Sequence, residues 1–225
     1  MVTIIIPAVG IHEEVKRCLD AVFKYTNVPF VCVLVISGMD MGDFDLVPML
    51  YANGVHMILI LSPERLDCAE ATNIGFRYWM WRTGTRFGVY LASDTYVTDG
   101  WIEPIIKLHE QNPDYGWISP ASNNGPFHTG CAVYTREAVA VVGFFDERFK
   151  IAFIDDDYYW RFRRAGFKPH GCSVSYVEHP ESQVTVRKVY GDKVQEQFRK
   201  DQKLFMAKWG RVGTNWNEIP TEAPR

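Results

Sequence analysis

Short apolar runs rich in β-branched residues alternate with amphipathic helical segments along the first half of the chain, and this alternation constrains the fold most. The runs cover residues 2–6, which end at Pro7, and then 30–36, 55–61 and 87–92. Helical patterns follow at 13–25, 43–53, 67–82 and 99–111, the last with Asp99 as its expected cap. Strands alternating with helices predict βαβ units around a mostly parallel sheet, an α/β fold. Because parallel strands end at one edge of the sheet, residues 7–9, 36–38 and 92–94 should meet there and bind a ligand.

The pattern changes after about residue 115. Short strands are expected near 115–118, 129–134 and 171–177, with a helix at 155–165. A last helix at 191–209 should end at Gly210, a natural C-terminal cap, and a loosely ordered tail should follow at 211–225. We therefore expect one domain over residues 1–210, made of a parallel half (1–114), a mixed half (115–190) and a C-terminal helix (191–210).

Composition excludes several classes of protein. The 225 residues carry a net charge of −3, which gives no general attraction to nucleic acid or anionic lipid. Five cysteines stand singly without a CxxC pair, which argues against a disulfide framework or a structural zinc site. We expect most of them to be buried in a reducing, cytoplasmic protein. No basic, apolar leader and no run of about 18 apolar residues occurs, so membrane contact would be peripheral.

Three acidic or metal-binding features fall where loops should meet the sheet. Asp94 follows a buried strand, where a carboxylate can hold a metal ion on two phosphates or can cap a turn. Asp155, Asp156 and Asp157 begin a helix; mutual repulsion can raise a pKa and create a general base, although the helix dipole also favours acids there. His179 follows a short strand and can be a metal ligand or a structural residue.

A fourth feature is the start of the helix at 67–82. Small residues follow Asp67, and Asn73 and Gly75 come within the first turns. Small residues let a ligand approach the backbone closely, although Asn73 and Gly75 can equally serve helix packing.

Further segments complete an ordered pattern along the chain. They are Val-Thr-Ile-Ile-Ile-Pro7, Ala71-Thr-Asn73-Ile-Gly75, Leu91-Ala-Ser-Asp94-Thr95 with Gly100-Trp101, Gly130-Cys131, Val142-Gly143-Phe-Phe-Asp146-Glu147-Arg148-Phe149, Asp155-Asp156-Asp157 with Arg161 and Arg164-Ala-Gly166, His179, and Lys208-Trp209-Gly210. Together they resemble the family 2 glycosyltransferases of the GT-A fold, which is Rossmann-like, and in particular their rhamnosyltransferase-like branch. The resemblance runs from residue 2 to residue 210.

This resemblance implies that a sugar moves from a nucleotide-diphosphate donor to an acceptor hydroxyl with inversion. Asp155, or Asp156 after a slip of one position, would be the catalytic base. Asp94 and His179 would hold Mn²⁺ or Mg²⁺. The residues expected to contact the nucleotide sugar are Pro7, Ala8, Val9, Ser37, Asp67, Asn73, Ala92, Ser93, Asp94, Trp101 and Gly130.

Two departures from the family pattern bear on the donor and the metal. Ile36 stands where the family has an aspartate that contacts the nucleobase or ribose, so a uridine donor is in doubt. Ala92 replaces the first acidic residue of the metal-binding motif and leaves one carboxylate. That loss leaves open a second hypothesis, an inactive GT-A module that only binds a sugar nucleotide. A dinucleotide oxidoreductase is excluded because no GxGxxG follows the first strand.

The segment 187–211 contains eight basic and three acidic residues. It can be a solvated helix face or a patch that meets an anionic acceptor. The acceptor would be a glycan or lipid-linked glycan; a viral or accessory enzyme that modifies hydroxylated bases in DNA is the alternative. The sequence does not predict an oligomeric state.

Overall fold

The computed structural model describes residues 1–10, 13–38, 57–179 and 190–224. The strands are β1 (Val2–Val9), β2 (Phe30–Ser37), β3 (Met57–Ser62), β4 (Phe87–Leu91), β5 (Tyr96–Val97), β6 (Trp117–Ser122), β7 (Cys131–Thr135), β8 (His170–Glu178) and β9 (Thr221–Glu222). The helices are α1 (Glu13–Tyr25), α2 (Cys68–Arg82), α3 (Glu103–Gln111), α4 (Arg136–Val142), α5 (Ile154–Arg164) and α6 (Val194–Trp209).

All nine of these strands belong to one sheet, in the order β3-β2-β1-β4-β7-β6-β8-β5, with β9 paired to β8. Strands β3, β2, β1 and β4 are parallel, as the alternation of the first half predicts. Strand β7 is antiparallel to both β4 and β6, which makes the second half mixed. The predicted α/β architecture of a parallel half joined to a mixed half is confirmed.

The sheet is buried on both faces, as its continuous apolar runs require. Along β1, Val2, Ile4 and Ile6 pack with α1 and α3 on one face, while Ile5 packs with α2 on the other. Helix α2 approaches β1 closely at Gly75, where an added Cβ would lie 2.2 Å from Cγ2 of Ile5. This glycine serves helix packing, one of the two roles considered for it.

Buried aspartates tie α6 to the rest of the protein. Both carboxylate oxygens of Asp157 on α5 are engaged: Arg161 lies 2.9 Å away, Lys208 2.7 Å and the Trp209 indole N–H 2.8 Å. Asp201 on α6 accepts hydrogen bonds from the backbone N–H groups of residues 150–152 at 2.9–3.2 Å. The start of α5 is therefore fixed from α6.

The segment after α6 corrects the prediction of a loosely ordered tail. Strand β9 pairs with β8, the Gly171 N–H donates to the Pro220 carbonyl at 2.9 Å, and Ile219 is buried. The Trp216 ring packs on Phe127. We call residues 213–222 the C-terminal strap. An isolated tryptophan and an isolated isoleucine in a polar segment carry no periodicity, which is why the prediction missed this packing.

Other boundaries also differ from the predictions. Strand β1 continues through Pro7 to Val9; among the described residues its pairing with β4 ends at Ile5, and proline is tolerated at such a half-paired position. Asp99 does not cap α3, which begins at Glu103; the Asp99 carboxylate accepts a hydrogen bond from Asn27 instead. The helix predicted at 43–53 lies outside the described residues. Strands β5 and β9 and helix α4 were not predicted.

Cysteine burial and the lengths of the helices can be compared with the predictions. The five cysteines are free thiols, and all but Cys68 are buried. Within the described ranges, no helix has the length and apolar character needed to cross a bilayer.

Candidate active site

The carboxyl ends of β1 and β4 open into a cavity of about 620 Å³. These ends meet because β1 and β4 are parallel neighbours in the sheet. Further backbone hydrogen bonds hold the edge together: the Ala92 N–H donates to the Gly130 carbonyl at 2.7 Å, and the Gly10 N–H donates to the Ser37 carbonyl at 2.9 Å. The predicted donor contacts that line this cavity are Pro7, Ala8, Val9, Asp67, Ala92, Ser93, Asp94 and Gly130. Asp155 and His179, from the mixed half, line it as well.

Asp94 and His179 lie next to each other in the cavity wall. Nε2 of His179 lies 3.4 Å from Oδ1 of Asp94, and both side chains are mostly buried. The Asn123 side-chain amide fixes the backbone of His179: it accepts a hydrogen bond from the His179 N–H at 2.9 Å and donates one to the His179 carbonyl at 2.8 Å. The Asn124 amide lies 3.2 Å from Nδ1 of the same ring. Two asparagines thus hold one imidazole nitrogen toward the Asp94 carboxylate.

This pair fits a divalent cation in the chemistry of its donors. A carboxylate oxygen and a neutral imidazole nitrogen are both ligands of Mn²⁺, and carboxylates also suit Mg²⁺. Across the described ranges, no group of three histidine, cysteine or acidic side chains is arranged to hold a metal. Two protein ligands leave the remaining positions of a six-coordinate ion for water and diphosphate oxygens.

Asp155 is the carboxylate of α5 that enters the cavity. Burial raises the pKa of Asp155, while hydrogen bonds from the Thr129 hydroxyl and from the Asp156 N–H oppose that rise. The Asp156 N–H lies 3.0 Å from Oδ1 of Asp155. A buried carboxylate with a raised pKa is suited to accept a proton.

Asp156 and Asp157 point elsewhere. Oδ1 of Asp156 accepts the Thr214 N–H at 2.6 Å, and burial, with the Asp155 carboxylate as a further contribution, raises the pKa of Asp156. Asp156 is absent from the described cavity lining, and Asp157 makes the ion pairs to α6. The structure therefore separates the two rivals for the base: Asp155 faces the cavity and Asp156 faces the C-terminal strap.

The residue before α5 has an unusual backbone. Phe153 has φ of 61°, the one positive value for a non-glycine among the described residues, and such a conformation costs about 1–2 kcal/mol. The Phe205 and Phe198 rings hold it at centroid distances of 5.1 and 5.4 Å. Core packing from α6 thus stabilises the sharp turn that presents Asp155.

A charged cluster closes the cavity at the start of α2. The Lys150 ammonium lies 2.8 Å from Asp67 and 2.9 Å from Glu70, and the Tyr190 hydroxyl donates to Asp67. Asp67, Lys150 and Tyr190 all line the cavity. Sequence patterns gave no signal for Lys150 or Tyr190, because each comes from a loop or a helix end far from Asp67 in the chain.

Three predicted donor contacts lie away from the cavity lining. Trp101 is fully buried and its indole N–H donates to the Thr26 hydroxyl at 3.2 Å. Asn73 is buried and joins α2 to the loop at Phe145, whose N–H and carbonyl both bond its amide at 2.9 Å. Ser37 is buried at the end of β2, beside β1, with its hydroxyl 3.4 Å from the Ala8 carbonyl. These residues support the fold of the site rather than its surface.

Several aromatic residues that line the cavity were not predicted. His128 stands beside His179, with ring centroids 4.9 Å apart, and burial lowers the pKa of His128 to about 3. Phe127 and Trp216 also line the cavity. A histidine two residues before Gly130 and a tryptophan in the C-terminal strap have no periodic pattern that could have identified them.

The chain has recognisable relatives. Residues 3–130 match the family model described as Glycosyl transferase family 2, which is more than half of the chain. No curated protein sequence matches the chain significantly.

Solved structures share the fold at low sequence identity. A mannosyltransferase from Pyrobaculum calidifontis, PcManGT, in complex with GDP-Man and Mn²⁺, is 16% identical with a TM-score of 0.68; the match covers 88% of this chain and 63% of that one. TarS from S. aureus is 11% identical with a TM-score of 0.68, over 95% of this chain and 40% of that one. GalNAc-T7 with UDP, GalNAc and Mn²⁺ is 13% identical with a TM-score of 0.63, over 92% and 51%. The chain spans less than two thirds of each of these proteins.

Proposed function

The chain belongs to glycosyl transferase family 2, and from this we propose that it is a metal-dependent, inverting glycosyltransferase that moves a sugar from a nucleotide-diphosphate sugar to an acceptor hydroxyl. One observation carries the proposal: Asp155, Asp94 and His179 line one cavity although the chain separates them widely. The cavity, of about 620 Å³, has the size of a site for a small molecule or cofactor.

Asp155 is the proposed catalytic base. It accepts the proton of the acceptor hydroxyl as that oxygen forms a bond to the anomeric carbon of the donor sugar. The bond between the anomeric carbon and the diphosphate breaks, and its electron pair leaves with the phosphate oxygen. Attack from the side opposite the leaving group gives inversion. We assign this role to Asp155 rather than Asp156 because Asp155 lines the cavity while Asp156 accepts the Thr214 N–H.

Asp94 and His179 are the proposed metal ligands. When bound, Mn²⁺ or Mg²⁺ would neutralise the charge that develops on the leaving diphosphate. When Nδ1 of His179 accepts a hydrogen bond from the Asn124 amide, the ring proton is on Nε2 and faces Asp94. Metal binding through Nε2 requires the other tautomer, with the proton on Nδ1. The Asn124 amide must then be turned so that its oxygen accepts that proton. The Mn²⁺ present in the PcManGT and GalNAc-T7 structures supports the use of a divalent metal ion.

The donor is proposed to lie along the strand ends. Residues 7–9, 92 and 93 line the cavity, and Gly130 lets the His128 ring pack against the chain beside them, since an added Cβ there would lie 2.6 Å from Nε2 of His128. PcManGT holds GDP-Man and a TarS structure holds UDP-GlcNAc, which supports a nucleotide sugar as the donor. Ile36 and Ser37 lie in β2 beside β1, and both are fully buried, so we propose that other groups read the nucleobase.

The acceptor is proposed to be a glycan or a lipid-linked glycan, met by a cytoplasmic protein that contacts a membrane at most peripherally. Several basic side chains in and just after α6 already have partners. Lys208 pairs with Asp146 and Asp157, Lys200 pairs with Glu196, and Arg211 stacks over Trp160. Arg199 and Lys203 remain exposed on the helix surface. Residues 187–189 of the basic segment lie outside the described residues.

Turnover of the donor tests the proposal. The purified chain should hydrolyse one member of a panel of UDP-, GDP- and dTDP-sugars to free sugar and nucleotide diphosphate with Mn²⁺, and should lose this activity with EDTA. An NMR spectrum of the product formed on an acceptor gives the anomeric configuration. Binding of a donor without hydrolysis or transfer would favour the inactive module instead.

A further inference from the structure

Trp216 contributes an aromatic surface to the cavity from the C-terminal strap. Its ring stacks on Phe127, with centroids 5.6 Å apart and planes 9° from parallel, and it meets Tyr159 edge-on at 5.6 Å. Trp216 is half-buried and lines the cavity together with Asp155. A large flat ring therefore forms part of the wall that also holds the proposed base.

The strap holds this ring in place through contacts on both sides of it. Two residues before Trp216, the Thr214 N–H donates to Asp156, the neighbour of Asp155. Three residues after it, Ile219 is buried, and the Pro220 carbonyl accepts the Gly171 N–H at 2.9 Å. A ring that is fixed before ligand binds loses little conformational freedom on binding, which favours its use as a contact surface.

The charges of the cavity favour a neutral ligand next to this ring. Among the described lining residues, the carboxylates are Asp67, Asp94 and Asp155, and the one lysine or arginine is Lys150. Lys150 is already paired with Asp67 and Glu70. A phosphodiester chain would meet net negative charge here and would not gain the cation contacts that dominate nucleic-acid affinity. A sugar ring is uncharged and presents C–H groups on one face.

We propose that Trp216, backed by Phe127, is the stacking platform for a pyranose ring of the acceptor and so makes the acceptor a glycan. The face of an indole ring carries partial negative charge, which attracts the weakly positive C–H groups on the flat side of a pyranose. A pyranose stacked there lies in the cavity that Asp155 also lines. The proposal rests on the proposed function and adds the acceptor class and a specificity-determining residue.

The experiment compares Trp216→Ala and Trp216→Phe with the unmodified chain. The probes are methyl pyranosides of glucose, galactose, mannose and N-acetylglucosamine, and a single-stranded oligonucleotide with 5-hydroxymethylcytosine. Saturation-transfer NMR measures binding of each probe in the presence of Mn²⁺ and the nucleotide diphosphate. Donor hydrolysis without acceptor, measured on the same samples, reports folding and the donor site. Trp81→Ala is the matched control, because Trp81 is 70% exposed and is not part of the described cavity lining.

We expect at least one pyranoside to bind, with affinity reduced about tenfold in Trp216→Ala and about two- to threefold in Trp216→Phe, which keeps an aromatic face. Trp81→Ala should match the unmodified chain in pyranoside binding and in donor hydrolysis, and any donor hydrolysis by the Trp216 variants shows that they are folded. Equal pyranoside binding by Trp216→Ala, failure of every pyranoside to bind the unmodified chain, or binding of the oligonucleotide alone would each overturn the inference. A chain that neither binds nor hydrolyses any donor would instead refute the proposed function.

Discussion

Three consecutive aspartates at the start of α5 perform three different tasks. Each step along a helix turns the side chain by about 100°, so neighbours in sequence face different surroundings. Asp155 enters the cavity, Asp156 binds the C-terminal strap, and Asp157 pairs with α6. An acidic cluster that looks redundant in the sequence therefore contains one residue that faces the cavity and two that hold neighbouring segments in place.

Replacing Asp155 by Asn removes the proposed base with little change in size. Transfer should fall by a factor of about 10²–10⁴, because an amide cannot accept the proton of the acceptor hydroxyl. Donor binding, measured by calorimetry, should persist. Asp156→Asn should retain most of the transfer activity. Full activity in Asp155→Asn, with a loss confined to Asp156→Asn, would reverse the assignment.

The pH dependence of transfer should reflect the raised pKa of Asp155. Only the deprotonated carboxylate can act as a base, so kcat/KM should be full above that pKa and should be lost as pH falls through it. An ordinary carboxyl group has a pKa of about 4. Because burial raises the pKa of Asp155, the activity should be lost at a higher pH than that. Measuring kcat/KM between pH 4 and 8 at saturating Mn²⁺ tests this; a rate that stays flat down to pH 4 would contradict it.

At the scale of elements, the position of α5 depends on α6 and the packing of the sheet depends on α2. Asp157 has no exposed side-chain surface, and its partners Arg161 and Lys208 are also mostly buried. On the same face of the sheet as α5, α2 lies so close to β1 that residue 75 has no room for a side chain. Both contacts fix elements that carry cavity residues.

Asp157→Ala should destabilise the protein by about 3–5 kcal/mol, because it leaves two cationic side chains without their buried partner. Urea unfolding followed by tryptophan fluorescence measures the change. Glu196→Ala is the control, because it removes an acid from an ion pair whose two side chains are 63% and 66% exposed. The urea midpoint of that variant should not change. Equal midpoints for the two variants would show that Asp157 does not anchor α6.

Gly75→Ala should cost about 1–3 kcal/mol, because the new methyl group would overlap Ile5 and push α2 from the sheet. Gly84→Ala is the matched control, since nothing lies within 4 Å of a Cβ added there. Thermal unfolding of the two variants should separate them clearly. A Gly75→Ala protein as stable as Gly84→Ala would mean that α2 can shift at no cost.

The sequence predicted regular elements better than it predicted side-chain environments. Runs of β-branched residues identify β1 to β4, because such strands are buried on both faces and consist almost entirely of apolar residues. Trp101 was expected at the site because it follows Gly100, yet its ring lies in the core, and a single tryptophan has no period that gives its direction. For the same reason, the sequence did not predict that the Trp216 ring faces the cavity. Asp94, His179 and Asp155 were found because their types suit the chemistry.

Across the whole molecule, the cavity lies where the parallel half meets the mixed half. Asp94 follows β4 of the parallel half, and His179 follows β8 of the mixed half. A donor and a metal ion bound to both residues would join the two halves and stabilise the fold as a unit.

Saturating donor with Mn²⁺ should therefore raise the thermal midpoint by about 5–10 °C, as expected for free ligand at about 100 times Kd. Asp94→Ala should remove the part of this shift that depends on Mn²⁺, because one of two protein ligands is gone. The same measurement with EDTA gives the metal-free reference. An Asp94→Ala protein with an unchanged Mn²⁺-dependent shift would exclude Asp94 as a ligand.

The C-terminal strap has a consequence for biosynthesis. Asp155 and the strand-end loops precede Trp216 in the chain, but the cavity wall includes Trp216, and Asp156 takes a hydrogen bond from Thr214. While a ribosome is still adding residues before Thr214, the nascent protein can form its parallel half but has an incomplete cavity wall. The complete site therefore forms only after the strap has emerged from the ribosome and packed against β8 and the start of α5.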